Sequence, residues 1–302
     1  MQAAVDGAAI LANARTLAPE IRAVADEIER THRLPQPLVD RMSDAGVFRI
    51  AMPKAWGGPE LAPFDQIEVI EALAHADASV GWCASILSDS GFYAARLEEE
   101  TARRVFPDLD AKTAGMLAPV GRAEVVEGGY RVRGDWAFGS GSLHADVICG
   151  GCLLTRDGEI TLKNGLPVWR VMIFDLRDVE VHDTWHVTGL CGSGSNHYSV
   201  ADAFVPEAHS FDVFSDIRRP EPLYQYHGFF FANVPGVPLG LGRAAIDVLG
   251  EVAASKRSLP GMGLLRDEYR VKTAAAEAEA ALGSARSYVR DVTQDLWETL
   301  LA

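Results

Sequence analysis

Cysteine is scarce. Four residues, Cys83, Cys149, Cys152 and Cys191, are spread through 302, too few and too scattered for a disulfide scaffold. Cys149 and Cys152 form a C-x-x-C, but no second pair has zinc spacing. The run from Val147 to Leu154 reads as a buried strand, so the pair reads as small core thiols rather than a redox or metal pair, and no metal site is expected. Positive charge is also short: 28 Lys and Arg stand against 42 Asp and Glu, a net charge of −14. That argues against nucleic acid or an anionic membrane as the main partner. It leaves an anionic cofactor open, because local backbone donors bind phosphate against a global field. There is no run of 18 apolar residues and no basic segment leading into an apolar one at the start. No membrane span and no signal peptide are therefore expected, and a cytoplasmic location is. Internal repeats and low-complexity linkers are absent too.

The chain is long enough to bury a large core in two or three subdomains. Residues 1–111 read as helical. Leu17, Ile21, Val24 and Ile28 repeat at helical spacing. Pro35 and Pro37 open a second segment, which Leu38, Val39 and Met42 would bury. Phe64, Ile67, Ile70 and Leu73 form another stripe, and Asp77 precedes an apolar helix near 79–96. From 112 to 212 the pattern changes to short Val, Ile and Thr runs separated by turn signals such as Glu127-Gly128-Gly129, Asp157-Gly158 and Asn164-Gly165. Tyr198, Val200 and Phe204 share one parity, and strands at this spacing predict a small barrel or sandwich. From 213 to 302 helix returns. One stripe runs from Leu239 to Ala253 and another from Val271 to Leu296, with Pro260-Gly261 between them.

Several segments carry a resemblance. These are Asp44-Ala45-Gly46-Val47-Phe48 with Trp56-Gly57-Gly58-Pro59, Asp77-Ala78-Ser79-Val80-Gly81-Trp82, and Thr184-Trp185 through Ser195-Asn196 to Phe204-Val205-Pro206-Glu207. As a set they resemble the acyl-CoA dehydrogenase superfamily over nearly the whole chain. The resemblance implies an α+β multidomain fold: an N-terminal all-α domain (1–111), a central β domain (112–212) and a partial C-terminal helix bundle (213–302), with further helices expected beyond Ala302. The segments Pro119-Val120-Gly121-Arg122 and Trp136-Ala137-Phe138-Gly139-Ser140-Gly141 with His144-Ala145-Asp146 are most similar to the two-component flavin-dependent monooxygenase branch. Dehydrogenases usually carry a lysine in place of Asp135 and a Thr-Asn pair where Gly139-Ser140 stand.

That resemblance implies the oxygenase component of a two-component system. It would take reduced FMN or FAD from a separate flavin reductase and hydroxylate an aromatic or polyketide-like small molecule with O2. Two other readings stay open: an acyl-CoA dehydrogenase, and a non-catalytic partner of an active paralogue. Family members are usually homotetramers or homodimers, so a homo-oligomer is expected.

The implied cofactor contacts are Leu117, Ala118, Pro119, Phe138, Gly139, Ser140, Trp185, Gly192, Ser193 and Ser195. Oxygen chemistry on a flavin needs fixed dipoles, exclusion of water and a controlled proton donor. Backbone near the glycines supplies close dipoles, and Ser140 supplies a hydroxyl; its other reading is a turn serine bonding its own backbone. Trp185 is a ring neighbour or plain core, and Arg122 a phosphate ligand or a solvated arginine. Catalytic candidates are Ser140, Ser90 and His144, with a structural role the alternative for His144. Substrate-binding candidates are Trp82, Asp89 and Phe230. Phe230 aligns with a position where some dehydrogenases keep a carboxylate base, and a phenylalanine moves no protons. Ser90 stands where relatives often have a histidine, and Gln225 where they often have an arginine.

Overall fold

The computed structural model describes residues 7–259 and 262–302. The expected separator Pro260-Gly261 lies outside them. The first helical stripe is not one helix but three short ones, α1 (Gly7–Thr16), α2 (Ala18–Ala23) and α3 (Ala25–Thr31). Leu17, Ile21 and Ile28 are still buried, so the periodicity marked the core face correctly while the breaks escaped it. Next come α4 (Gln36–Asp44), α5 (Pro63–Ala76), α6 (Ala78–Leu87), α7 (Ser90–Ala94) and α8 (Glu99–Val105). Asp77 caps α6, its carboxylate accepting from the Ser79 and Val80 amides at 2.8 and 3.1 Å. The predicted 79–96 helix breaks at Ser88 and Asp89 into α6 and α7.

Among the described residues ten strands follow: β1 (Thr113–Val126), β2 (Gly129–Gly139), β3 (Val147–Arg156), β4 (Glu159–Ile160), β5 (Leu162–Lys163), β6 (Leu166–Pro167), β7 (Trp169–Phe174), β8 (Glu180–His182), β9 (Asn196–Pro206) and β10 (Ser210–Phe211). The central β domain is a mixed eight-stranded sheet, ordered β10-β7-β3-β1-β2-β9-β8, with β4 on β3, beside a separate β5–β6 pair. Its end strands do not pair. β1 and β3 run parallel. The sheet curls strongly, however. Trp136 on β2 stacks on Tyr198 of β9 (5.4 Å between rings, 11° apart) and meets Phe174 of β7 at 5.2 Å. β2 and β7 are three strands apart, about 14 Å in a flat sheet, so only curvature brings those rings together. Glycines make room: a Cβ on Gly121 or Gly150 would sit 2.4 or 2.6 Å from the Trp136 ring.

One parity expectation needs correcting. Tyr198 and Val200 are buried, but Phe204 is 47% exposed. Val132 pairs with Ala203 and Gly134 with Val200, so β9 carries one extra residue there. That bulge flips the alternation, and Ala203 and Val205 take the inner face.

The last third holds α9 (Pro222–Gln225), α10 (Gly236–Ser255) and α11 (Tyr269–Leu301). Residues 227–255 are long and apolar enough, by length and composition alone, for a membrane span. Here α10 packs on α5 instead. A Cβ on Gly236 or Gly240 would come within 2.6 Å of the α5 carbonyls of Ile67 and Glu71. The 33-residue α11 buries no residue. It is tied to α5 by Arg286, whose guanidinium meets Glu68 and Glu71 at 3.0 and 2.9 Å.

Candidate active site

Two loops converge where the sheet meets α6. The first ends β2. Phe138 sits in the left-handed region (φ +65°) with its ring 57% exposed, a strained backbone that bulky residues adopt rarely and mostly at functional positions. Gly139 pairs with Asn196 on β9; a Cβ there would lie 2.8 Å from the Tyr198 ring. The second loop, 190–195, packs against α3 and α6. A Cβ on Gly192 would lie 2.0 Å from Ile28, so Gly192 faces the helices and its role is packing.

The hydroxyls of the two loops meet. Ser140 and Ser195 lie 2.7 Å apart, and Ser195 and Ser193 another 2.7 Å. The Trp82 indole N–H of α6 donates to Ser140 at 2.9 Å, and the Gly141 amide donates to the Ser193 carbonyl. All three serines are at most 5% exposed. Three hydroxyls carry three protons and share two contacts, so one proton is left over. With the Trp82 N–H directed at Ser140, a chain running Ser193 to Ser195 to Ser140 leaves Ser140 free to donate outward.

Asn196 was not singled out by sequence for any side-chain role, yet its Oδ1 accepts from the amides of both Thr184 and Trp185 at 3.0 Å. Trp185 is fixed further by its indole N–H, which donates to the Leu190 carbonyl, and its ring meets Phe138 edge-on at 6.2 Å. Only its place in the Ser-Asn pair hinted at this clamp. The third stretch, Leu117-Ala118-Pro119, is a bulge: β1 and β3 slip register between Met116 and Pro119. The Tyr198 hydroxyl ties it down, accepting from the Met116 amide at 2.8 Å and donating to the Cys149 carbonyl at 2.6 Å. Ala118 is exposed and Leu117 and Pro119 half-buried.

The remaining candidates lie elsewhere. Ser90 is fully buried; its hydroxyl donates to the Ala111 carbonyl at 2.5 Å and meets Thr113 at 2.7 Å. The structure does not join it to Ser140; its bonds pin α7 to the start of β1. Asp89 is buried with Oδ1 unpartnered, and burial pushes its carboxyl well above the usual range, favouring the neutral acid. Phe230 lies in an aromatic cluster with Phe92 and Tyr93, under the Arg96 guanidinium. His144 follows the first loop with both ring nitrogens buried and unpartnered; burial first, then Arg33 and Lys112, lower it to about 4. Cys149 and Cys152 are free and buried, each pushed up to about 12 by burial. Among the described residues no cluster of His, Cys, Asp and Glu could hold a metal.

The geometry suits a flat redox ring. A spare hydroxyl donor, an exposed aromatic edge at Phe138 and Trp185, and a bulged strand with a small outward residue at Ala118 are what an isoalloxazine needs along one side.

Comparison with known proteins gives the same direction. Residues 7–109 match the acyl-CoA dehydrogenase N-terminal domain. An indole-3-acetate monooxygenase of Pseudomonas putida is 34% identical over 284 residues, spanning 93% of this chain and 71% of the relative. The oxygenase subunit HsaA, a flavin-dependent monooxygenase of Rhodococcus jostii, is 33% identical over 209 residues, 68% of this chain and 53% of that one. Among solved structures, XiaF from Streptomyces, in complex with FADH2 and glycerol, superposes with a TM-score of 0.87 at 25% identity, covering 98% of this chain and 76% of that one. The 3-HSA hydroxylase of Rhodococcus superposes at 0.86 with 26% identity, covering 97% and 76%.

Proposed function

We propose a function from this premise: the chain belongs to the flavin-dependent monooxygenases of the acyl-CoA dehydrogenase superfamily. It is the oxygenase component of a two-component system, hydroxylating an aromatic or polyketide-like small molecule with O2 and reduced FMN or FAD from a separate reductase. The relatives support this class of substrate by their names: one acts on indole-3-acetate, another on resorcinol. The single observation that carries the reading is the serine chain across the two loops, Ser140 to Ser195 at 2.7 Å, with Trp82 bonded to its end.

Bound reduced flavin supplies the electrons that activate O2. The chain's own residues set the conditions. Ser140 holds a proton at the end of a fixed chain, where it can donate to an edge atom of the ring or to oxygen bound beside it. Trp82 keeps that hydroxyl in place. Phe138 and Trp185, the latter clamped by Asn196, shield one edge from water. The exposed apolar residues Leu241 and Val248 on α10, and Tyr288 and Val292 on α11, support a homodimer or homotetramer buried through these helices.

Anaerobic titration with reduced FMN and FAD tests the reading, followed by O2 and a panel of phenols and indoles with product analysis. Binding of reduced flavin and a hydroxylated product are expected. Failure to bind either reduced flavin would sink it.

A further inference from the structure

We infer that Arg96 anchors a second binding site, away from the serine loops, that takes a small molecule by a carboxylate or phosphate group. Arg96 follows α7 and is 1% exposed. Its Nε donates to the Val213 carbonyl at 3.1 Å and its Nη1 to the Tyr224 carbonyl at 3.2 Å. One face of the guanidinium lies over the Phe230 ring, 5.3 Å from its centre. Those bonds fasten the crossing segment 212–224 to α7, and they use Nε and Nη1. They leave Nη2, which is buried and bonds to nothing. Among the described residues no carboxylate lies within ion-pair distance of Arg96. Burial lowers its guanidinium only to about 10, so it stays charged at neutral pH. A buried charge without a counter-ion, holding an unspent donor, is costly to keep.

Arg96 lines a cavity of about 480 Å³, a size that suits a small molecule. Arg170, Ser210, Asp216 and Arg218 line it too. The charges around Arg96 are engaged with one another. Asp216 accepts from Arg170 at 2.9 Å and from the Asp212 amide at 2.8 Å. Arg170 is held further by the Ser210 hydroxyl and carbonyl. Glu98 pairs with Arg218 at 3.2 Å, and both side chains are largely in water, where such a pair is weak. Glu207, the remaining carboxylate on the wall, is exposed. Arg96 is thus the buried charge that this network leaves unmatched. A carboxylate or phosphate oxygen accepts from Nη2 in a charge-assisted bond, and Arg218 can turn from Glu98 to a second oxygen.

Position separates this cavity from the ring's site. Gly128 and Pro206, at the start of β2 and the end of β9, line it. Ser140 follows the other end of β2, which is eleven residues long, about 33 Å of extended strand. The cavity also joins three parts of the chain: the end of α7, the β7–β10 edge of the sheet and the crossing segment, whose Arg218 amide donates to the Ala95 carbonyl at 2.9 Å. An occupant bound to all three raises the melting temperature, because the unfolded chain cannot hold it.

The test is calorimetry and thermal melting of the full chain with inorganic phosphate and with acetate, at constant ionic strength set by chloride. Saturable binding of at least one, with a Kd of about 1 mM or below, and a rising melting temperature are expected; the arm that binds more tightly identifies the group. Arg96→Lys keeps the charge and loses the fork, and should weaken binding at least about tenfold. Ala208→Glu adds a carboxylate to an exposed position on the cavity wall. It should weaken binding severalfold with an unchanged melting temperature in chloride alone, which keeps the test open if Arg96→Lys does not fold. Wild type that binds neither probe overturns the inference, as does binding that Ala208→Glu and every folded Arg96 variant leave undiminished. None of these outcomes bears on reduced-flavin binding, so the function proposed above stands or falls separately.

Discussion

Helix α6 serves two groups of buried hydroxyls, and they differ in what is left over. On one side Trp82 reaches the Ser140, Ser195 and Ser193 chain. On the other, Ser85 donates to Asn233 Oδ1 at 2.8 Å, Ser88 donates to the Ser85 carbonyl, and the Asn233 amide donates back to Ser85 and Ser88. Both groups are buried and both are rich in serine. The second is closed: its hydroxyl and amide groups bond each other or backbone, and it fastens the segment before α10 to α6. The first joins two loops far apart in sequence and keeps one proton in hand, beside a ring that is 57% exposed. Burial of polar groups alone does not make a site. Unspent hydrogen-bonding capacity next to an accessible surface does.

Breaking the first group should cost catalysis most. Ser140→Ala should lower the hydroxylation rate about 100-fold, the usual loss for one preorganised donor, with a melting temperature only modestly reduced. Ser85→Ala in the second group should leave turnover per folded molecule unchanged. Equal effects on rate from the two variants would erase the distinction.

Breaking the second group should cost stability most. Asn233→Ala leaves Ser85 and Ser88 without their amide partner and should destabilise the chain by about 2–3 kcal/mol in urea unfolding. Reduced-flavin affinity of the folded fraction should not change.

The two regions should also answer pH in opposite directions. His144 sits after the first loop with its imidazole lowered to about 4 from 6.5. The unfolded chain then binds a proton that the folded chain refuses. This contribution is complete above pH 6.5 and is lost as pH falls towards 4, roughly 2 kcal/mol by pH 5. Asp89 is raised by burial, so its contribution is present below the ordinary carboxylate range and is lost as pH rises through its folded value. His144→Gln should flatten the acid limb of a melting-temperature profile, and Asp89→Asn the limb above it. Unchanged limbs would show that the two groups are hydrated in solution.

The smallest effect sharpens the contrast from the other side. Phe138→Gly removes a side chain from a left-handed backbone and should stabilise the fold by about 1 kcal/mol, while lowering kcat/KM by removing the ring's neighbour. A destabilised variant would show that no strain is held there.

Much of this was legible in the residues. The glycine-serine runs at 139–141 and 192–195 pointed to both loops through the family resemblance they carry. Asp77 announced the start of α6 through its capping chemistry. The β9 bulge was not legible, since alternation read along one strand contains no information on the register of its neighbour. Nor was the fate of Ser90: its hydroxyl is spent on the Ala111 carbonyl, an atom every residue has.

Sequence by itself determined the helix, sheet, helix order, the inner faces and the residue types of the two loops, because periodicity and backbone preference are local. The tertiary structure alone decided that Ser140 meets Ser195 under Trp82 and that Gly192 serves packing. Each of those depends on strand register and sheet curvature, which arise only when distant segments compete for the same interior space.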